Sequence, residues 1–119
     1  MVGEFREIID EADAYAANLQ ELIPDALKAF GGLARAAQET GALDRKIKEL
    51  IALAISASVR CDACIAYHAR GASRAGANRQ EVAEALAVAV QMGGGPALNY
   101  AAKALGAFDE LSAGEPLTA

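Results

Sequence analysis

The sequence has no tryptophan, and only three tyrosines and three phenylalanines in 119 residues. So few rings exclude a core built on aromatic packing. Two cysteines and one histidine are too few for a disulfide-rich secreted scaffold. No run of Lys and Arg exceeds two residues and the net charge is −5, which excludes the electrostatic footprint of a nucleic-acid or anionic-membrane binder. The longest near-apolar stretch, Leu50 to Val59, is far too short to span a bilayer. Met1 to Asp10 lacks the basic-then-apolar layout of a secretory signal. The chain is therefore expected in the cytoplasm, where a cysteine pair is catalytic or metal-binding rather than a staple. A bridge across two intervening residues would in any case close a tiny loop, with little chain entropy to remove.

What the sequence does contain is small and apolar. Hydrophobic residues make up 54% of it, about a quarter of all residues are alanine, and alanine is the best helix former. No stretch alternates like a strand. The expected fold is all-α: a compact bundle of about six helices forming a single domain over residues 1–119. The first helix is expected from about Gly3 to Leu22, with acids up front where the helix dipole favours them. Pro24 opens a second helix, to about Glu39. Asp44 caps a third that reaches about Ser58. A fourth carries Cys61 to Ala75, with Gly76 as its stop. Asn78 and Glu81 have the spacing of a capping box at the start of a fifth. Gly93-Gly94-Gly95 ends that helix, Pro96 opens a sixth to about Leu111, and Ser112 to Ala119 read as a loose tail. From Leu50, and again over Val82 to Met92, the pattern is apolar almost all round, which means burial on every side. Two such helices are much for a small domain to hide, so a homo-oligomer is expected.

The chemistry is concentrated in Cys61-Asp62-Ala63-Cys64-Ile65-Ala66-Tyr67-His68, which holds both cysteines and the only histidine. Sulfur and imidazole are the groups best suited to redox and proton chemistry near neutral pH. At about 100° per residue the three side chains fall within an arc of about 60°. Cys61 and Cys64 can meet at i, i+3, and His68 can reach Cys64 at i, i+4. If the chain reverses near Ser58 to Arg60, Glu49 on the third helix faces His68 at a similar depth, roughly 15 Å from the turn. Glu49, His68 and Cys64 then have the logic of an activated nucleophile: orienter, base and thiol. Cys61 resolves the oxidised partner as a disulfide. The helix N-terminus alone favours Cys61 as the more acidic sulfur, whereas the histidine favours Cys64. Tyr67 points off this arc and reads as packing.

The spacing Glu49, Cys61, Cys64, His68 resembles the signature of the alkyl hydroperoxidase D-like branch of the carboxymuconolactone decarboxylase-like family. Arg45, the Leu50-to-Ala54 run, Gly76, Glu81-Val82 and the Gly93-to-Pro96 turn are similar to that family's layout. The likeness covers about Leu22 to Leu111. It implies a small helical bundle assembling as trimers or hexamers, with no bound cofactor. The implied activity is thiol-dependent reduction of a small-molecule hydroperoxide, or dithiol–disulfide exchange. A lipoyl-type dithiol is the implied electron donor and a lipoyl-bearing or peroxiredoxin protein the implied partner. Cys64 is the implied attacking thiol, Cys61 the resolving thiol, and Glu49 with His68 the proton relay. Two departures stand out: Ala63 occupies a position where some members carry histidine, and the chain is short.

Three other readings compete. A redox-sensing or adaptor oligomer would oxidise once without turnover. A γ-carboxymuconolactone decarboxylase would act with both thiols blocked. A zinc site would use Cys61, Cys64, His68 and Glu49 as its four donors, although three donors along one helix leave a metal little folding to organise.

Overall fold

The computed structural model describes residues 3–113. The described residues form five helical segments and no strand: α1 (Glu4–Leu22), α2 (Pro24–Gln38), α3 (Arg45–Ser58), α4 (Asp62–Arg74) and α5 (Arg79–Ala113). Pro24 sits in the first turn of α2, and Asp44 caps α3 by accepting from Ile47 N at 2.9 Å. The capping box at α5 is complete. Glu81 N donates to Asn78 Oδ1 at 2.8 Å, and Asn78 N donates to Glu81 Oε1 at 2.9 Å. Ser112 and Ala113 belong to α5 rather than to a tail; the remaining expected tail residues lie outside those described.

The expected fifth and sixth helices are the two arms of α5. The helix breaks at Gly94, whose φ of 70° and ψ of −149° suit a residue without Cβ. The break is a reversal. Arg79 and Asp109 stand equally far from Gly94 in sequence, yet Arg79 Nε and Nη2 donate to Asp109 Oδ1 and Oδ2 at 2.8 and 3.0 Å. An uninterrupted helix would hold those residues about 45 Å apart.

The turn that leads into the cysteines is a Schellman motif. Arg60, at φ 59°, occupies the left-handed position that glycine usually fills. Cys61 N donates to Ser56 O at 3.2 Å and Arg60 N to Ala57 O at 3.2 Å. Gly76 closes α4 in the same way, with Ala77 N on Ala72 O at 2.9 Å.

Helices α3, α4 and α5 pack on one another, and α1 lies against α4. Leu53, Ile65 and Val82 are fully enclosed, and alanines 57, 66, 69, 72, 101, 104 and 107 line the seams between them. Alanine seams let the helix backbones approach closely, so the core stays dense without aromatic bulk.

Burial is less complete than the sequence pattern predicts. Ile47, Ile51, Ile55 and Val59 form an exposed stripe along α3, and Val88 and Met92 are exposed on α5. α2 has no buried residue, and its Phe30 and Leu33 lie 68% and 65% open. Packing within one chain thus covers only one side of the apolar helices.

Candidate functional site

Cys61 is the N-cap residue of α4, and its sulfur accepts from Cys64 N at 3.2 Å. The two sulfurs are joined as a disulfide. The Schellman turn at Arg60 therefore delivers one sulfur to the end of the helix, and the first turn of α4 supplies the other. Asp62, between them, accepts from Lys103 Nζ at 3.0 Å. The Asp62 carboxylate raises the Lys103 pKa, through that hydrogen bond above all. The second arm of α5 thereby fixes the start of α4 and sets a cation against the acid beside the thiols.

His68 lies one turn along α4 from Cys64, and helical side chains lean back toward the N-terminus. Its Nδ1 is 3.3 Å from Glu49 Oε1. Glu49 is only 4% exposed and stands immediately before the apolar run of α3 that begins at Leu50. A carboxylate can only accept, so Glu49 selects the tautomer protonated on Nδ1 and leaves Nε2 as the basic nitrogen. The expected facing of Glu49 and His68 across the α3–α4 hairpin is present.

Gly71 is a residue that the sequence reasoning missed. A Cβ at this position would overlap Glu49 Oε2, so the carboxylate is seated against bare backbone. The available signal was a glycine inside a helix, three residues beyond His68, at a cost of about 1 kcal/mol relative to alanine.

Glu49 and His68 open onto a cavity of about 710 Å³ between α2, α3 and α4, whose walls include Arg35, Gln38, Arg45, Tyr67, Arg70 and Arg74. Tyr67, expected to serve packing alone, is part of this wall. Its hydroxyl donates to Asp13 Oδ1, and the Arg70 guanidinium stands 5.6 Å from its ring centroid. Desolvation first, and then the Asp13 contact, push the phenol up to about 12. Neither cysteine belongs to the described walls; His68, on the wall, lies four residues along α4 from Cys64. Among the described residues no cluster of three or more His, Cys, Asp or Glu side chains is placed to hold a metal ion, so the four-donor zinc arrangement has no counterpart.

A family model described as the carboxymuconolactone decarboxylase family matches residues 24–107. The chain belongs to this family, and its Cys-x-x-Cys and His68 spacing is consistent with the alkyl hydroperoxidase D-like branch. An uncharacterized protein of Cupriavidus necator is 39% identical over 113 residues, covering 95% of this chain and all of the relative. An uncharacterized protein in the cox locus of Paracoccus denitrificans is 41% identical over 70% of this chain and 75% of its own. Among solved structures, a carboxymuconolactone decarboxylase family protein from Legionella pneumophila in its apo form is 42% identical with a TM-score of 0.89, over 92% of this chain and 97% of that one. A Thermotoga maritima family protein, described as a candidate for the antioxidative response, is 38% identical with a TM-score of 0.67, over 72% and 89% of the two chains. No described helix is long and apolar enough to cross a membrane.

Proposed function

We propose that this chain is a cytoplasmic thiol-dependent peroxidase that cycles between the Cys61–Cys64 disulfide and the dithiol. The observation that carries this reading is a histidine, held by a buried glutamate at 3.3 Å, one helical turn from a disulfide at the helix start. In the reduced protein, His68 Nε2 takes the proton of the Cys64 thiol. The thiolate attacks the distal oxygen of a hydroperoxide and the O–O bond breaks. The alkoxide leaves as an alcohol after taking the proton back from His68, and Cys64 becomes a sulfenic acid. Cys61, losing its own proton, attacks that sulfur and expels the hydroxyl group as water, which forms the disulfide. A dithiol of the lipoyl type, free or protein-borne, returns the two electrons by exchange and leaves as its own disulfide. The sum is hydroperoxide plus dithiol giving alcohol, water and disulfide.

The helix N-terminus stabilises thiolate at either sulfur, while His68 favours Cys64, so Cys64 is the attacking thiol of this reading. Peroxide consumption with dihydrolipoamide as donor tests it. Cys64→Ser should lose turnover completely. Cys61→Ser should hold a sulfenic acid on Cys64 that dimedone traps. Full turnover by Cys64→Ser would overturn the mechanism, as would a peroxidase rate unchanged in Glu49→Gln and His68→Asn.

A further inference from the structure

Four of the chain's seven arginines, Arg35, Arg45, Arg70 and Arg74, stand on the wall of one cavity in a protein whose net charge is −5. The acids on that wall are Glu39 and Glu49, and Glu49 is engaged with His68. The remaining excess is positive, although the molecule around it is acidic. A reaction on a neutral alkyl hydroperoxide would need no such grouping.

Gln38 adds an independent observation. Its side-chain Oε1 is shielded from solvent and has no hydrogen-bond partner among the described residues, yet the residue lines the same cavity. A shielded amide oxygen without a partner is costly. Rotated out of that shielded position, the amide would offer two N–H donors to an acceptor in the cavity. Arg70, whose guanidinium carbon stands 5.6 Å from the Tyr67 ring centroid, is on the cavity wall, and a guanidinium, a planar fork, is the group suited to bidentate binding of a carboxylate. The cavity, about 710 Å³, falls within the size range of small-molecule sites.

We infer that the substrate is a carboxylate-bearing organic hydroperoxide, its carboxylate held by Arg45 and Arg70 in the α2–α3–α4 cavity and its peroxide directed past His68 to Cys64. The inference rests on the peroxidase reading for its chemistry, which is the balanced reaction given above with the carboxylate as a spectator. Helical rise sets the scale. Arg70 is six residues beyond Cys64, so the carboxylate and the reacting oxygen are roughly 9 Å apart along the helix. Arg74 has interactions of its own and is not needed.

A matched pair of substrates tests this: cumene hydroperoxide and its para-carboxylate, reduced with neutral dihydrolipoamide as the common donor. The acid should have a kcat/KM at least tenfold above that of the neutral compound. That ratio should shrink as salt rises, and it should fall toward one in Arg45→Gln/Arg70→Gln. Calorimetry with unreactive 4-isopropylbenzoate on the oxidised protein gives a readout that needs no turnover; binding should weaken at least tenfold in the same variant. A conservative Arg70→Lys variant, recovering charge without the fork, should restore binding only in part. Equal kcat/KM for both hydroperoxides, together with no benzoate binding, would overturn the inference and leave the peroxidase standing. Arginine-dependent benzoate binding without turnover of either hydroperoxide would instead remove the peroxidase and keep the anion site. Tight benzoate binding that survives loss of both arginines would also overturn it.

Discussion

A methyl group at position 71 would occupy the space that Glu49 Oε2 holds. With Glu49 enclosed, neither side can yield without moving the carboxylate away from His68. Gly71→Ala should therefore act as a partial loss of the orienting acid, lowering peroxide turnover by tenfold or more on the usual scale of acid–base contributions. Overpacking should also cost about 1–3 kcal/mol. The pH profile of Cys64 alkylation separates the two effects, because only a displaced Glu49 shifts it. Tyr67 offers a second test at this scale. Its raised value means that it keeps its proton where an ordinary tyrosine ionises, near pH 10. Ultraviolet titration of the wild type against Tyr67→Phe should show the missing phenolate appearing near pH 12. In Asp13→Asn its midpoint should move downward, while still above the ordinary value because desolvation is the larger cause.

The elements were legible where a local signal marks a helix end. Asp44, Pro24, Asn78 with Glu81, and Gly76 each sit where their chemistry predicts. The Glu49–His68 pairing was legible because a hairpin equates distances from its turn. Other features left no local trace. Arg60 holds the left-handed position of a Schellman turn, a role that sequence assigns to glycine or asparagine. Arg60→Gly should relieve that backbone, against a greater loss of entropy on folding. The net expectation is a gain of a few tenths to about 1 kcal/mol, read as a melting temperature a few degrees higher. Glu110 is a further case: it accepts from Phe5 N and Arg6 N at 3.0 and 2.8 Å, so an acid near the end of α5 caps α1. A half-buried acid in the last turns of a helix gives no such hint. Glu110→Ala should cost about 1–3 kcal/mol, the range for hydrogen bonds to a charged group, with hydrogen exchange fastest in the first turn of α1.

At the scale of the molecule, the uncovered apolar surface is the main departure from the sequence expectation, because periodicity reports that a face is apolar and not what covers it. The exposed α3 stripe and the α2 residues Phe30 and Leu33 are expected to be buried between copies of the chain. Light scattering at micromolar concentration should give a mass above one protomer, and Leu33→Glu with Ile51→Glu should lower it. Acid titration tests the ion pairs that tie the helices together. Lys46 holds the Glu81 carboxyl below its ordinary value, helped by Asn78 N, and Arg79 does the same for Asp109. Depressed folded values mean that the stabilisation is present above the unfolded carboxylate range and disappears as pH falls through the lowered values. Both pairs are largely solvated, so the effect is modest, and Glu81→Gln/Asp109→Asn should flatten the acid limb of stability while leaving the neutral one little changed in shape. The contact between Glu110 and the start of α1 has a consequence for biosynthesis. α1 is synthesised well before the residue that caps it. Nascent chains stalled before residue 110 should therefore carry a frayed first turn of α1, and protease sensitivity there should vanish once residue 110 has left the ribosome.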